Sequence, residues 1–262
     1  MEWGKYMKHK TKVAIVIPDT HAPLQDTKAV NIVCKAIELV KPDTVIHLGD
    51  VGEWNSVSYW KYKKKKRPPL EFIINDLEKD VKATNKLLDK FDESCKKAGV
   101  KKKHLLLGNH DEWLNNFIDE HPYLEDKYSP QACMRLEERG YDWLPYDDFL
   151  KIGYLHFHHG GHYTGLYHAR HTVVQLGVNV MYGHFHDVAR ESVGNFDGVH
   201  AAFCIGCLKK CQASSNKWLK GRKVNWSLAF AIVHWNPDGT FVVNVVDITD
   251  GRTFVYGKPI RG

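Results

Sequence analysis

Five short clusters along the chain carry side chains suited to holding a divalent cation. They are Asp19-Thr20-His21, Gly49-Asp50, Gly108-Asn109-His110-Asp111, His159-Gly160 and Gly183-His184-Phe185-His186. Together they offer carboxylates, one amide and several imidazoles, with no thiolate. Mixed oxygen and nitrogen donors of this kind suit Mn²⁺, Fe or Zn²⁺, and there are more of them than a single ion needs. Each fragment alone is a weak signal, because Asp-x-His and Gly-Asp arise by chance. The glycines have a role of their own: they let the chain turn sharply and let backbone approach a phosphate. The set is informative because each cluster follows a short apolar run.

Those runs are the elements that must position the clusters. Val13-Ala14-Ile15-Val16-Ile17 is β-branched without polar alternation, as expected of a strand buried on both faces. Residues 28–40 carry Val30, Val33, Ala36, Ile37 and Val40 at helical spacing, and Pro42 stops the helix. Residues 44–48 form a second buried strand. Strand, helix, strand implies a right-handed parallel unit. A longer helix follows from Leu70, Ile74, Leu77, Val81, Leu88, Phe91 and Cys95, closed by Gly99, with a stripe that serves the core or a dimer face. Further strands are expected over 104–107, 154–158, 179–182 and 199–205, and helices over 112–119 and 131–139. The end of the chain reads as β, over 228–235, 241–248 and 253–256, with turns at Pro237-Asp238-Gly239 and Asp250-Gly251. In open α/β sheets, sites form beyond the C-terminal ends of the strands, so clusters far apart in sequence can converge. With no internal repeat and no linker, the expectation is one compact domain over 1–262. Its motif-bearing core is 13–208, and a C-terminal β segment, 225–256, completes the sheets.

Composition narrows the class. The 262 residues are 43% hydrophobic and 26% charged, which excludes a disordered, collagenous or coiled-coil chain. No run approaches the roughly 18 apolar residues needed to cross a bilayer. The opening MEWGKYMKHKTK lacks the apolar stretch of a secretory signal and reads as a loose lead-in. The expected location is the cytoplasm, with no membrane partner. Six cysteines in such a chain read as free thiols in a reducing compartment. The net charge of 37 − 31 = +6 permits an anionic substrate without requiring nucleic acid.

The ordered set of five clusters resembles the calcineurin-like metallophosphoesterases. Their pattern is D-x-H, G-D-x-x-[D/E], G-N-H-[D/E], H-G and G-H-x-H. Here it is matched by Asp19-Thr20-His21, Gly49-Asp50-Val51-Gly52-Glu53, Gly108-Asn109-His110-Asp111, His159-Gly160 and Gly183-His184-Phe185-His186. The resemblance implies an α/β fold, a four-layer αββα sandwich with two central mixed sheets and a two-metal site at one edge. It implies two divalent ions, Mn²⁺ first, with Zn²⁺, Fe or Ni²⁺ as alternatives. Carried over by position, Asp19, His21, Asp50 and His186 hold one ion. Asp50, Asn109, His159 and His184 hold the other, with Asp50 as the bridge. His158 is the alternative to His159, and strand alternation allows only one of these neighbours to serve. A bridging hydroxide would attack phosphorus in line with the leaving oxygen. His110 matches the histidine that stabilises or protonates the leaving group, and Glu53 matches its carboxylate partner. The chain is also similar in style to compact phosphoesterases of bacteriophage genomes.

Two departures shape the expected activity. Glu53 is longer than the Asp many members carry. Trp54-Asn55 stands where phosphoprotein phosphatases of the superfamily continue with Arg-Gly, which removes a phosphate-gripping arginine. The chain is also short for the capping domain of the superfamily's repair nucleases. The leading expectation is therefore a phosphodiesterase or phosphatase on a phosphate-ester substrate, as a monomer or homodimer. A nuclease is the alternative, motivated by the basic run 61–67, by 101–103 and by Lys209-Lys210. A non-catalytic binding module on the same fold is the third reading, and the intact ligand set together with His110 argues against it.

Other residues invite sharper readings that the bland ones outweigh. His47 and His156 read as core histidines. His162, His168 and His171 read as surface or supporting residues sooner than as cleft lining. Cys204, Cys207 and Cys211 are one ligand short of a closed zinc site and read as thiols. Trp54, Trp60 and Trp113 read as packing, with an aromatic wall for the substrate as the alternative.

Overall fold

The computed structural model describes residues 11–211, 216, 219–220 and 224–262. The expected N-terminal lead-in thus lies almost wholly outside the described residues. Strand β1 (Lys12–Ile17) is followed by α1 (Thr27–Val40) and β2 (Thr44–His47), then the single-turn α2 (Tyr59–Tyr62) and the long α3 (Leu70–Ala98). Next come β3 (Lys102–Leu106), α4 (Asn109–Glu120), α5 (Glu125–Tyr128), α6 (Pro130–Met134), β4 (Asp142–Leu144), β5 (Leu150–Ile152) and β6 (Leu155–Phe157). The remainder is α7 (His168–Leu176), β7 (Asn179–Tyr182), β8 (Val188–Asn195), β9 (Gly198–Ile205), β10 (Ala229–Trp235), β11 (Phe241–Asp247), β12 (Arg252–Val255) and β13 (Lys258–Arg261).

Two mixed sheets stand at the centre. The first has the order β11-β10-β1-β2-β3-β4, and the second β5-β6-β7-β9-β8. β1, β2, β3 and β4 run parallel, while β10 and β11 are antiparallel neighbours. In the second sheet β6, β7 and β9 are parallel, flanked by antiparallel β5 and β8. The unalternating apolar runs now have their reason, because period-2 geometry sends successive residues to opposite packed faces. Ala14, Val16, Ile46 and Leu106 point between the sheets and meet Leu155, Phe157, Met181 and Ile205. Ile15, Ile17, Val45 and Leu105 point the other way and meet Val33, Ile37, Leu88 and Phe91 of the helices. On the far side, Ala169 and Val173 of α7 cover Val180 and Ala202. The four layers are helices, sheet, sheet, helix, as expected.

Local signals set the ends of the helices. Asp26 caps α1 by accepting the Ala29 N–H (2.9 Å), and Lys41 ends it in the left-handed region. Gly99 ends α3 with its N–H on the Cys95 and Lys96 carbonyls. The helix expected over 131–139 is corrected: α6 stops at Met134, and Arg135 turns left-handed at φ 52°. Arg139 is drawn instead to α3, where its guanidinium meets Asp92 (2.5 Å), Asp89 (2.6 Å) and the Asn85 Oδ1 (2.9 Å). β12 does not extend a central sheet but pairs with β13 in a separate hairpin.

Candidate metal centre

The five clusters meet at one edge of the sandwich. Asp19 and His21 follow β1, Asp50 follows β2, Asn109 and His110 open α4 after β3, His159 follows β6, and His184 and His186 follow β7. All leave the C-terminal ends of parallel strands. Asp19, His21, Asp50 and His159 are at most 2% exposed, and His186 is buried with them.

On one side, His186 Nε2 lies 3.1 Å from Asp19 Oδ2 and 3.0 Å from His21 Nε2. On the other, Asn109 Oδ1 lies 3.0 Å from His159 Nε2 and 2.7 Å from His184 Nδ1. Asp50 joins the two, its Oδ2 being 3.5 Å from both His21 Nε2 and His159 Nε2.

The backbone holds this arrangement under strain. His21, Asp50, Trp54, His184 and His186 all have φ between 47° and 65°, a region that L-residues with side chains seldom occupy. Such strain persists only where surrounding structure fixes it, and it gathers at functional sites. Here the fixing bonds are visible. The Thr20 and His21 N–H groups donate to the Asp50 carbonyl (3.1 and 2.9 Å), and Leu208 N–H donates to the Asp19 carbonyl (2.7 Å). His184 N–H donates to both Asp19 oxygens (3.0 and 3.1 Å), and His110 N–H donates to Asp50 Oδ1 (2.8 Å). Two glycines are required by close approach. A Cβ on Gly108 would land on Asp50 Oδ1, and one on Gly183 would land on Asp19 Oδ1.

The donor set fits cations. His159 Nδ1–H donates to the Leu48 carbonyl (2.9 Å), which leaves the Nε2 lone pair of the neutral ring facing Asn109 Oδ1 and Asp50 Oδ2. Lone pairs facing one another in a buried pocket repel, and a positive charge among them resolves this. Protonated imidazoles are the only cations the ligand cluster itself can supply. Burial and Lys209 push His21 down, yet Asp19, Glu53 and Asp50 carry it up to about 9. His159 is likewise raised against its burial, by Asp50 and Asp19. Burial pushes Asp50 up to about 7 against the pull of these histidines. Burial leaves His184 and His186 down at about 3 and 4, neutral as ligands must be.

A family model described as calcineurin-like phosphoesterase matches residues 13–201, nearly three quarters of the chain. The chain belongs to the calcineurin-like phosphoesterase family. The Gene 54 protein of Mycobacterium phage L5 is 26% identical, over 95% of this chain and 98% of its own. Its counterpart in Mycobacterium phage D29 is 25% identical, over 94% and 98%. Among solved structures, the fold is similar to Vacuolar Protein Sorting 29 of Cryptosporidium parvum (TM-score 0.52, 13% identity, 97% of this chain and all of that one). It is also similar to a single mutant of Vps29 from Entamoeba histolytica (TM-score 0.51, 15% identity, 95% and 98%).

All seven residues that the phosphoesterase pattern marks as ligands, Asp19, His21, Asp50, Asn109, His159, His184 and His186, are brought together. His158 is turned away: it stacks on Phe149 (4.7 Å between centroids), and both its ring nitrogens lack partners. His110 lies against the centre, its ring 4.6 Å from that of His21. Its expected partner needs correction. The Glu53 carboxylate does not reach His110; Glu53 Oε2 lies 2.9 Å from His21 Nδ1 and 2.8 Å from Lys209 Nζ. His110 Nδ1–H donates to the Glu53 backbone carbonyl instead (2.9 Å).

Lys209 is the residue that the sequence reading misplaced. Grouped there with the basic stretches that motivate a nuclease, it is 3% exposed and carries its charge beside His21 through Glu53. Its position next to Gly206-Cys207-Leu208 was the available signal, but a lysine after a strand ordinarily reads as solvated. Lys103 is withdrawn as well, held by Asp92 (2.6 Å). Two tryptophans also touch the centre. Trp113 stacks on His110 at 3.9 Å, and Trp226 meets the His186 ring at 4.6 Å. Trp54 is fully buried and donates to Asp111 (2.8 Å). His47 is the core histidine expected, accepting the Gly49 N–H at Nδ1 (3.2 Å). His168 is buried between Tyr182 (2.8 Å) and Asp187 (3.1 Å), behind the ligands. All six cysteines are free, and Cys204, Cys207 and Cys211 do not form a metal-holding group with one another.

Proposed function

We propose that the protein is a two-metal phosphoesterase that hydrolyses phosphodiester or phosphomonoester bonds. The observation that carries this reading is Asp50, whose Oδ2 stands 3.5 Å from a histidine of each half-site, where a bridging ligand would be needed. One ion would be held by Asp19, His21, Asp50 and His186, and the other by Asp50, Asn109, His159 and His184. Bound there, a pair of divalent ions supplies an activated water and a clamp for phosphoryl oxygens; Mn²⁺ suits these donors.

The chain's own contribution follows from its geometry. The Leu48 carbonyl fixes the tautomer of His159, and Glu53 fixes that of His21. With Nδ1 committed to the Glu53 carbonyl, His110 presents Nε2 as the atom that hands a proton to the leaving oxygen. Burial, then His21, hold His110 well below its ordinary value. A phosphoester oxygen accepting a hydrogen bond from Nε2 would favour the protonated ring. Trp113 keeps the ring in place from the other side.

The test is hydrolysis of bis-p-nitrophenyl phosphate and p-nitrophenyl phosphate by protein stripped of metal and refilled with Mn²⁺. His110→Ala should lose about 10²–10⁴-fold in kcat, and Asp50→Asn should lose turnover and one bound ion. Metal bound at full stoichiometry with no turnover of either substrate would contradict the proposal and favour a binding module.

A further inference from the structure

A groove of about 370 Å³ shares Trp113 with the surroundings of the metal centre. Trp113 forms its inner wall, with its ring stacked on His110. Its outer wall is Tyr59 and Trp60, 53% and 65% exposed, an unusual degree of exposure for two adjacent large aromatics. They meet edge to face, with centroids 5.5 Å apart. The five lysines of 61–66 follow at once, and all five are exposed. Lys63 Nζ lies over the Trp60 ring, 4.6 Å from its centroid, and over that of Tyr59 at 5.7 Å, so it covers one face of Trp60. Arg67 is tied to Glu120 across the groove, which anchors the end of the segment. Asp119 and Glu120 also line the groove, and the lysines of 61–66 are not among its lining residues.

We propose that residues 59–67 are a platform for single-stranded nucleic acid, which they lead past Trp113 to the metal centre. Exposed aromatic faces joined to a run of cations recognise a strand whose bases are free to stack and whose phosphates are close by. A duplex hides its base faces and would leave Tyr59 and Trp60 uncovered. An acidic protein would meet the lysines but give the rings no flat partner. Lys63, over one face of Trp60, leaves the other face for a base and is close enough to meet the phosphate of a nucleotide stacked there. This inference rests on the phosphoesterase reading, for which it names the substrate class: a phosphodiester within a single strand.

The probe is a fluorescein-labelled oligothymidylate, followed by anisotropy against the full chain over a range of NaCl concentrations. Binding should fall linearly on a log–log plot as salt rises. Trp60→Ala should weaken it about tenfold or more. Replacing the five lysines of 61–66 by glutamine should lower the salt slope by up to about 3.5, at roughly 0.7 per phosphate contact. A duplex of equal length should bind more weakly. Absence of binding, or binding that neither change affects, would overturn the platform, and turnover of bis-p-nitrophenyl phosphate in the same preparation would leave the phosphoesterase reading standing. Oligonucleotide binding that responds to both changes, without turnover of any ester, would overturn the enzyme and the strand's role as its substrate, and leave only a binding surface.

Discussion

Lys209 and Glu53 form the contact on which the centre's geometry depends at the level of single side chains. The carboxylate lies between a buried ammonium and His21 Nδ1, and it fixes which way that ring faces. Burial opposes ionisation of Glu53, but His21 and Lys209 hold it well below the ordinary glutamate range. Removing the ammonium leaves a buried carboxylate that, among the described residues, keeps only imidazoles as ionic partners. Lys209→Met should therefore destabilise the fold by about 3–5 kcal/mol in urea unfolding. Lys209→Arg, which keeps the charge, should cost less. The Met replacement should also weaken Mn²⁺ binding measured by calorimetry, because Glu53 is then no longer held where it orients His21. Spacing alone made Glu53 look like the partner of His110. It is a neighbour of His110, but through its carbonyl, and no sequence pattern separates a backbone contact from a side-chain one.

At the scale of elements, α4 delivers two residues to the site from its first turn, so its N-terminus must be placed accurately. Asp111 does this. It accepts the Gly108 N–H (2.9 Å) and the Trp54 indole N–H (2.8 Å) while fully buried. Asp111→Ala should cost about 3 kcal/mol of stability in urea unfolding, and it should loosen Asn109 and His110 together. The strands that carry the ligands were legible because a strand packed on both faces shows an unbroken apolar run, as in β1, β2 and β7. β8 was not, since it is an edge strand whose alternating exposure leaves one face to solvent. β4 and β5 are three residues each, too short for a period to register. α7 has its apolar stripe broken by His168 and His171, and it went unseen. The ligand types and their order could be read from the sequence; the left-handed turns that aim His21, Asp50, His184 and His186 could not. Asp and His enter that region more often than most residues, but too seldom for their presence to announce such a turn.

Over the whole molecule, the two sheets bring together ligands drawn from residues 19 to 186, so the site exists only in the folded state. Cations that bind there must then stabilise the fold by mass action. At a concentration 100 times its dissociation constant, an ion adds about 2.7 kcal/mol per site, which corresponds to a rise in Tm of about 5–10 °C for a chain of this size. Asp50→Asn should remove much of that rise, and a chelator should reverse it in the wild type. Among the described residues, no helix is long and apolar enough to cross a membrane. Hydrolysis as proposed requires two ions acting through a shared Asp50. The most direct measurement is a Mn²⁺ titration of metal-stripped protein in which bound metal and bis-p-nitrophenyl phosphate turnover are followed together. Two equivalents should bind per chain, with turnover appearing as the second site fills. Full activity at one equivalent, or two bound equivalents without hydrolysis of this or any other phosphoester, would contradict it.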